Sequence, residues 1–140
     1  MIGFYEDEFY MLSNFSSFAV EWRGELWMTA EHAYQAAKFS DPDIREKIKN
    51  ARSAHDAKKI AKVYRHFMDI DWHQVKVYVM KEILRAKRDQ HPYVQKKLEQ
   101  TKGQDLVETS PRDAFWGWGP NRDGENHLGK LWMELRDEVV

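Results

Sequence analysis

The sequence contains no cysteine among its 140 residues. This absence excludes disulfide bonds, thiolate metal sites and a cysteine nucleophile together, and it fits a reducing compartment. An excess of charge of one sign is also missing, because 22 basic residues against 23 acidic ones give a formal net charge of -1. Such a balance provides no strong overall field to attract nucleic acid or an anionic membrane. Any anionic ligand must therefore be bound by local groups, and no sequence-specific nucleic-acid partner is indicated.

Long apolar runs are absent too. No stretch approaches the roughly 20 residues that span a bilayer. The N-terminal segment MIGFYEDEFY carries acidic residues where a signal peptide needs a basic end and an apolar run. These features predict a cytoplasmic protein with no membrane partner. The length of 140 residues and the 42% hydrophobic content predict a single domain, residues 1–140, with a core of its own.

The first half of the chain has the pattern of a small β-hairpin followed by helices. Residues 17–28 alternate apolar and polar side chains on both sides of Arg23 and Gly24, which is typical of a hairpin with its turn at those two residues. Thr29 is then placed to cap a helix over residues 30–39. Further helix starts are predicted at the capping residues Asp41, Ser53 and Asp71, and the Ser53 helix is expected to run to about Arg65.

The second half contains the longest helical pattern, residues 72–88, whose apolar stripe is typical of a central core helix. A short helix is predicted after Pro92, and Leu106-Val107 is predicted as a brief strand. Residues 110–126 are rich in glycine and proline and are predicted to be irregular. A last helix is expected to start near Asn126, a preferred capping residue. Together the elements predict an α+β fold that is mainly helical, with a small hairpin or sheet and a long central helix.

The helix in 29-TAEHAYQAAKF-39 has an unusual composition, because small alanines occupy the arc where large apolar residues normally lie. Glu31, Gln35 and Lys38 form a strip beside that arc. Glu31 falls in the first turn, where the helix dipole stabilises a carboxylate by about 0.3 to 1 kcal/mol. From this helix alone, the simpler interpretation is that Glu31 complements the dipole while Gln35 and Lys38 are solvated.

The segment 113-DAFWGWG-119 sets the Asp113 carboxylate and two indoles on a loop whose glycines allow close approach of backbone or ligand. Trp116 or Trp118 is therefore a candidate for stacking on a planar ligand. Taken one at a time, each tryptophan is more simply explained by packing in the core.

Metal and dinucleotide motifs are missing from the sequence. The six histidines, at positions 32, 55, 66, 73, 91 and 127, lack metal-ligand spacing. HExxH, Walker A and GxGxxG motifs do not occur. His32 is interpreted as a surface or packing residue. We expect neither a metal nor a dinucleotide fold.

Several motifs occur in an order that is similar to one known family. They are LSNF at 12–15, EHAYQAAKF at 31–39, DW at 71–72, LVE at 106–108, DAFWGWG at 113–119 and GENHLG at 124–129. Taken together they resemble the YbiA-like family, also called NADAR. Any one of these motifs is weak, whereas the ordered set along nearly the whole chain is specific.

The resemblance implies a mostly helical α+β fold, no cofactor, and hydrolysis of N-glycosidic bonds. Implied substrates are the ribosylamino-pyrimidine phosphates of riboflavin biosynthesis, or ADP-ribose attached to guanine. Glu31 and Asp113 are the implied catalytic residues, with Glu31 as the main, ionised carboxylate. The implied substrate-binding residues are Asn14, Gln35, Lys38, Trp72, Trp116 and Asn126.

The resemblance predicts that Glu31, Trp72, Asp113 and Trp116 meet around one cleft. Cleavage of an N-glycoside develops positive charge at the ribose and negative charge on the departing base, so a carboxylate and nearby aromatic rings suit the chemistry. The chain departs from the family pattern in 65-RHFMDIDW-72, where Arg65 lies farther from Trp72 than is usual, and in the absence of a proline after LSNF. For this reason no phosphate-binding role is assigned to Arg65.

Two alternatives remain open. In the first alternative, the chain is a non-catalytic module that binds ADP-ribose or a nucleotide by stacking it on the tryptophans named above. In the second, the chain is a purely structural interaction domain. Composition does not separate these possibilities. Release of a free base distinguishes the enzyme from both.

Overall fold

The computed structural model describes residues 1–138. Residues 14–90 form one compact unit, and residues 1–13 together with the segment that begins at His91 form another. The expectation of a single domain stays a prediction. Within residues 1–138, no helix is long and apolar enough to cross a membrane.

Helices dominate the structure. They are α1 Ala30–Ala37, α2 Pro42–Lys49, α3 Ala54–Val63, α4 Trp72–Gln90, α5 Pro92–Gln100 and α6 His127–Asp137. The strands are β1 Ile2–Gly3, β2 Val20–Trp22, β3 Glu25–Trp27 and β4 Leu106–Val107, and short 3₁₀ helices occur at Asp7–Leu12 and Arg65–Phe67. The predicted fold class, α+β and mainly helical, is confirmed.

The predicted hairpin is present. β2 and β3 pair antiparallel, with Val20 opposite Trp27. Arg23 and Gly24 form the turn with φ of 49° and 80°, and two successive positive φ angles match the right-handed twist of the strands that they join. Glycine adopts such a conformation without steric cost, which explains its presence at the second turn position.

The helix starts are set by the expected caps. The Thr29 hydroxyl accepts a hydrogen bond from the His32 N–H, and Asp41 and Ser53 cap α2 and α3 in the same way. The predicted ends are less accurate. α1 ends at Ala37 rather than 39, and α3 ends at Val63, before the 3₁₀ turn that contains Arg65.

The alanine-rich composition of α1 is explained by its surroundings. Helices α2, α3 and α4 pack against it. Ala30, Ala33 and Ala36 have no exposed surface, and every residue from Ala30 to Ala36 is buried. Small side chains let these neighbours approach closely on several sides, so the polar side chains of α1 are buried as well.

The unit built from both ends of the chain holds a pairing that the sequence did not reveal. β1 and β4 form a two-stranded parallel sheet with Ile2 opposite Leu106. Farther along, the Trp132 indole Nε1 on α6 donates to the Leu12 carbonyl at 2.8 Å. A strand of two residues is too short to show a period, so its partner is decided by packing rather than by pattern.

Candidate active site

The polar strip of α1 is assembled around Glu31. This side chain lies in the first helical turn and is only 6% exposed. Gln35, one turn later, is 3% exposed and donates from Nε2 to Glu31 Oε1 at 2.7 Å. The simpler interpretation, with Gln35 in solvent, is therefore wrong.

Asn14 lies beside the start of the same helix. Its backbone carbonyl accepts a hydrogen bond from the Glu31 N–H at 3.1 Å, which satisfies a helix N-terminal donor that has no partner within the helix. Its side-chain Nδ2 donates to the Met80 sulfur on α4 at 3.3 Å. Asn14 is thus anchored to the start of α1 through its backbone and to α4 through its side chain.

Two buried acceptors in this group lack hydrogen-bond donors. Among the described residues, Asn14 Oδ1 and Gln35 Oε1 have no hydrogen-bond partner. Both atoms belong to residues that hydrogen-bond to Glu31. Gln35 Oε1 belongs to the amide that bonds the Glu31 carboxylate, whereas Asn14 contacts Glu31 through its backbone.

Trp72 and Lys38 meet through Tyr34, a residue that the sequence did not single out. The Tyr34 and Trp72 rings lie 5.3 Å apart between centroids, and Lys38 Nζ lies 5.3 Å from the centre of the Tyr34 ring. Trp72 is only 2% exposed, so its ring packs within this unit. Tyr34 follows Glu31 by three residues and precedes Lys38 by four, and this helical spacing was the available signal.

His32 is a packing residue, one of the two roles that the sequence left open. It has no exposed surface. Its Nε2 donates to the Ala51 carbonyl at 3.1 Å, because a carbonyl oxygen only accepts, and its Nδ1 lies 2.7 Å from the Thr29 hydroxyl. These bonds tie the beginning of α1 to the segment before α3 and so hold Glu31 in place.

Lys87 on α4 is a second feature that the sequence did not predict. Its side chain has no exposed surface and donates from Nζ to the Ser16 hydroxyl at 2.8 Å. Burial lowers the pKa of Lys87 from 10.5 to about 7. Long basic side chains usually reach solvent, so the sequence does not predict that Lys87 is buried.

In the other unit, Asp113 organises the loop of the tryptophans. Its Oδ1 accepts from the backbone N–H groups of Phe115 at 3.0 Å and Trp116 at 2.8 Å. The Asp113 carbonyl accepts from the Gly117 N–H. One carboxylate oxygen of Asp113 is thus used to form the turn, a role that a short acidic side chain commonly plays.

Trp116 packs in an aromatic cluster with Phe115 and His127. The Phe115 and Trp116 centroids are 4.8 Å apart in an edge-to-face arrangement, and the Phe115 and His127 centroids are 4.4 Å apart. Trp116 is half-buried. The Trp118 ring instead contacts Arg122, whose guanidinium carbon lies 5.1 Å from the centre of that ring.

Asn126 precedes α6 as predicted, but its side chain makes no capping hydrogen bond. It adopts a left-handed conformation with φ of 51°. Its Oδ1 accepts from the Glu108 N–H at 2.9 Å, and its Nδ2 donates to the Leu106 carbonyl at 3.0 Å. The Asn126 amide therefore supports strand β4. A side chain at position 129 would clash with this amide, because a Cβ there would lie 2.5 Å from Nδ2.

Glu108 is a buried carboxylate, 7% exposed, that the sequence interpretation left without a role. Its Oε1 accepts from the Ser110 N–H at 3.1 Å, and its backbone carbonyl accepts from the Trp118 N–H. Desolvation raises the pKa of the Tyr10 hydroxyl, and the charges of Tyr5 and then Glu108 raise it further. Its position in the LVE motif, directly after strand β4, is the sequence feature that could have identified Glu108 as a candidate.

The sequence of this chain is similar to a known protein family. The sequence matches the NADAR domain over residues 3–140. The chain belongs to the NADAR family. This NADAR chain is 37% identical over 142 residues to the N-glycosidase YbiA of Escherichia coli (strain K12), with 100% of the chain and 89% of that protein covered.

Other relatives of the NADAR chain carry related names. The N-glycosidase Npun_R5314 of Nostoc punctiforme is 37% identical over 130 residues, which cover 91% of this chain and 83% of that protein. A riboflavin biosynthesis protein of Vibrio vulnificus, VVA0006, is 37% identical over 140 residues, which are 99% of this chain and 38% of that protein. The NMR structure of the E. coli protein YbiA is similar with a TM-score of 0.88, covering 97% of this chain and 82% of that one. The resemblance and the fold predicted from the sequence motifs are thereby confirmed.

The candidate residues of the NADAR chain fall into two groups. Asn14, Glu31 and Gln35 are linked by hydrogen bonds, and Lys38 and Trp72 both contact Tyr34. Asp113, Trp116 and Asn126 lie in the other unit. That Asp113 and Trp116 share one cleft with Glu31 and Trp72 stays a prediction. Within residues 1–138, no group of three His, Asp or Glu side chains is placed to hold a metal ion.

Proposed function

We propose that this chain is an N-glycosidase that hydrolyses the bond between the anomeric carbon of a ribose and the nitrogen of a base. Membership of the NADAR family and relatives named N-glycosidase support the reaction class. The observation that carries the proposal is the buried Glu31 carboxylate, oriented by Gln35 and by the backbone of Asn14. A fixed carboxylate of this kind suits a reaction that develops positive charge on a sugar.

Glu31 acts in one of two ways in this proposal. Its carboxylate stabilises the oxocarbenium character of the ribose, or it removes a proton from the attacking water as the C–N bond breaks. Gln35 holds the carboxylate through its Nε2, so the catalytic group does not need to reorganise when the substrate binds. In either case the products are the free base and a ribose with a hydroxyl at the anomeric carbon.

Asp113 is the second proposed catalytic carboxylate. Because only its Oδ1 is used by the loop N–H groups, the residue can still orient the ribose or assist the departing base. Trp72, Lys38, Trp116 and Asn126 complete the proposed binding residues. Of these, Trp116 is half-buried and offers more ring surface than Trp72.

The substrate proposed first is a ribosylamino-pyrimidine phosphate of riboflavin biosynthesis. Relatives of this chain named riboflavin biosynthesis proteins support this choice. ADP-ribose linked to guanine is the other candidate in the same reaction class. Both substrates contain a ribose 5-phosphate group whose anomeric carbon is bonded to nitrogen.

An assay on a small substrate panel tests the proposal. Purified protein is incubated with phosphorylated ribosylamino-pyrimidines, nucleotides, NAD and ADP-ribosylated guanine, and the products are identified by mass. Release of a free base from one class identifies the substrate. Tight binding of a panel member without any base release would instead establish a non-catalytic nucleotide-binding module and overturn the proposed function.

A further inference from the structure

The exposed side of α3 carries basic side chains. The buried residues of this helix are Ala54, Ala57 and Ala61, and residues at this spacing lie on one side of a helix. The exposed charged side chains recur at helical spacing on a different side. Together with an exposed histidine they form a surface that we call the basic face, which consists of His55, Lys58, Lys59 and Lys62.

The basic face has a positive charge that the described residues leave unneutralised. The one acidic residue of α3, Asp56, is half-buried and lies off this side of the helix. Within residues 1–138, Lys58, Lys59 and Lys62 take part in no ion pair. By contrast, α2 exposes side chains of both signs, Asp43, Glu46 and Lys47. The nearly balanced charge of the whole chain therefore conceals a local excess of positive charge.

The positive charge continues into the 3₁₀ helix Arg65–Phe67, which follows α3. Arg65 donates from Nη1 to the Lys62 carbonyl at 2.9 Å, and this bond joins the turn to the end of the basic face. Phe67 is 66% exposed, and its ring centroid lies 6.5 Å from that of Tyr64. An exposed aromatic ring thus directly follows the row of cations in the chain.

This combination of groups selects the class of partner. Proteins bind single-stranded nucleic acid without sequence preference by placing cations near its phosphates and stacking its bases on aromatic rings. A helix that binds a membrane surface instead inserts an apolar face. The apolar face of α3 consists of alanines that are buried where α1 and α2 pack against this helix, so it is not free to insert. Charge complementarity and the exposed ring therefore favour a nucleic acid strand over a lipid surface.

We propose that the basic face of α3 and the 3₁₀ helix after it bind single-stranded nucleic acid without sequence preference. A base stacks on the Phe67 ring, and the phosphates are contacted by Lys58, Lys59, Lys62 and Arg65. Lys58 and Lys62 lie one turn apart, about 6 Å along the helix axis, which is similar to the separation of successive phosphates along an extended strand. None of these residues belongs to the proposed catalytic or substrate-binding set, so the inference does not rest on the N-glycosidase proposal.

Binding of a labelled oligothymidylate to the wild-type protein, followed by fluorescence polarisation, tests the inference directly. We expect a dissociation constant of about 10⁻⁴ to 10⁻⁶ M at physiological salt. The logarithm of the affinity should fall against the logarithm of the salt concentration with a slope of about -3, since each of four phosphate contacts on a single strand contributes about 0.7. Poly-glutamate and vesicles that contain phosphatidylserine are the competing anions. No binding of the oligonucleotide at about 50 mM salt, or equally tight binding of either competing anion, would overturn the proposal.

A triple variant assigns the binding to the basic face. Lys58→Gln, Lys59→Gln and Lys62→Gln together should weaken binding at low salt by at least about tenfold and reduce the slope to about -1, because one phosphate contact is left. The matched control combines Lys47→Gln, Lys96→Gln and Lys130→Gln, three exposed positions outside α3, and changes the net charge equally. The control should keep the wild-type affinity and slope. Equal losses in the two folded triple variants would show that net charge, rather than the basic face, is responsible, and would overturn the proposal.

Phe67→Leu separates stacking from charge. The variant keeps an apolar side chain at an exposed position, so thermal unfolding should be unchanged. Its affinity for the oligonucleotide should fall at least about fivefold, the effect of losing one stacked base, while the salt slope stays at the wild-type value. Wild-type affinity of Phe67→Leu would overturn the selection of nucleic acid over other polyanions. Because all these measurements follow binding without turnover, their outcome is independent of the substrate assay.

Discussion

At the scale of single residues, Glu31 is the position where helix chemistry and burial coincide. The first turn of α1 favours its charge, and Gln35 restricts its carboxylate. Burial without such partners would favour the neutral acid. The hydrogen bond from Gln35 and the helix terminus therefore make a carboxylate tenable at a site that is almost closed to solvent.

Replacement of Glu31 by glutamine should leave the fold and substrate binding intact, because the side chain keeps its size. The rate should fall by about 10²- to 10⁴-fold, the usual effect of removing a positioned acid or base. Single-turnover kinetics on the substrate found in the panel measure this. Near-normal turnover of Glu31→Gln together with an inactive Asp113→Asn would move the main role to Asp113.

Trp72 tests whether a residue serves both the core and the substrate. It is buried against Tyr34, so Trp72→Ala should cost about 3 to 5 kcal/mol of unfolding free energy. Trp72→Phe retains much of the apolar bulk and should be folded but weaker in substrate binding. Full activity of Trp72→Phe, with Trp72→Ala merely less stable, would make Trp72 a core residue only.

Lys87 makes stability depend on pH. Its pKa is lowered to about 7 in the folded protein, so between about pH 7 and 10.5 the unfolded chain binds a proton that the folded protein does not. Unfolding free energy contributed by this group therefore rises with pH across that window, and the cost of burying the charge is fully present below pH 7. Urea unfolding at pH 7 and pH 9 should show this rise in wild type and in the exposed control Lys58→Met, but not in Lys87→Met. Parallel pH profiles for all three proteins would contradict the prediction.

At the scale of elements, the loop of residues 113–119 depends on one side chain for its form. Asp113 Oδ1 accepts hydrogen bonds from the backbone N–H groups of Phe115 and of Trp116 itself. The same loop pairs through its backbone with the first turn of α6, as the hydrogen bond from the Leu128 N–H to the Trp116 carbonyl shows. Charge and loop geometry are therefore separable roles of Asp113.

Asp113→Asn should preserve the loop, because an asparagine oxygen also accepts the two N–H groups. Asp113→Ala removes the acceptor and should cost about 1 to 3 kcal/mol of unfolding free energy. Chemical denaturation measures both variants against wild type. If Asp113→Asn is as destabilised as Asp113→Ala, the charge rather than the acceptor geometry maintains the loop.

At the scale of the whole molecule, charge is nearly balanced, with 22 basic and 23 acidic residues, and cysteine is absent. The described part of the chain holds no cluster with metal-ligand geometry. Turnover in EDTA should therefore equal turnover in buffer, because neither proposed carboxylate needs a divalent ion in the mechanism above. Loss of activity in EDTA that one divalent ion restores would refute this prediction.

Local structure was largely readable from the sequence. Thr29, Asp41 and Ser53 begin helices because their side chains accept from N–H groups two or three residues later, an interaction contained within a few residues. The Arg23-Gly24 turn was readable for the same reason. Family membership was also predicted from the sequence. The order of motifs along nearly the whole chain can be recognised without knowing which residues contact one another in the fold.

Only the tertiary structure decided which polar groups are buried and what they contact. Gln35, Asn126 and Lys87 are of residue types that usually lie at the surface, yet each is held by a hydrogen bond within its unit. For Asn126 and Lys87 the partner is distant in the sequence. The pairing of β1 with β4 joins segments about a hundred positions apart, and no local pattern encodes it. The free energy of burying a polar group depends on all of its neighbours at once, so its role is determined by packing rather than by its place in the sequence.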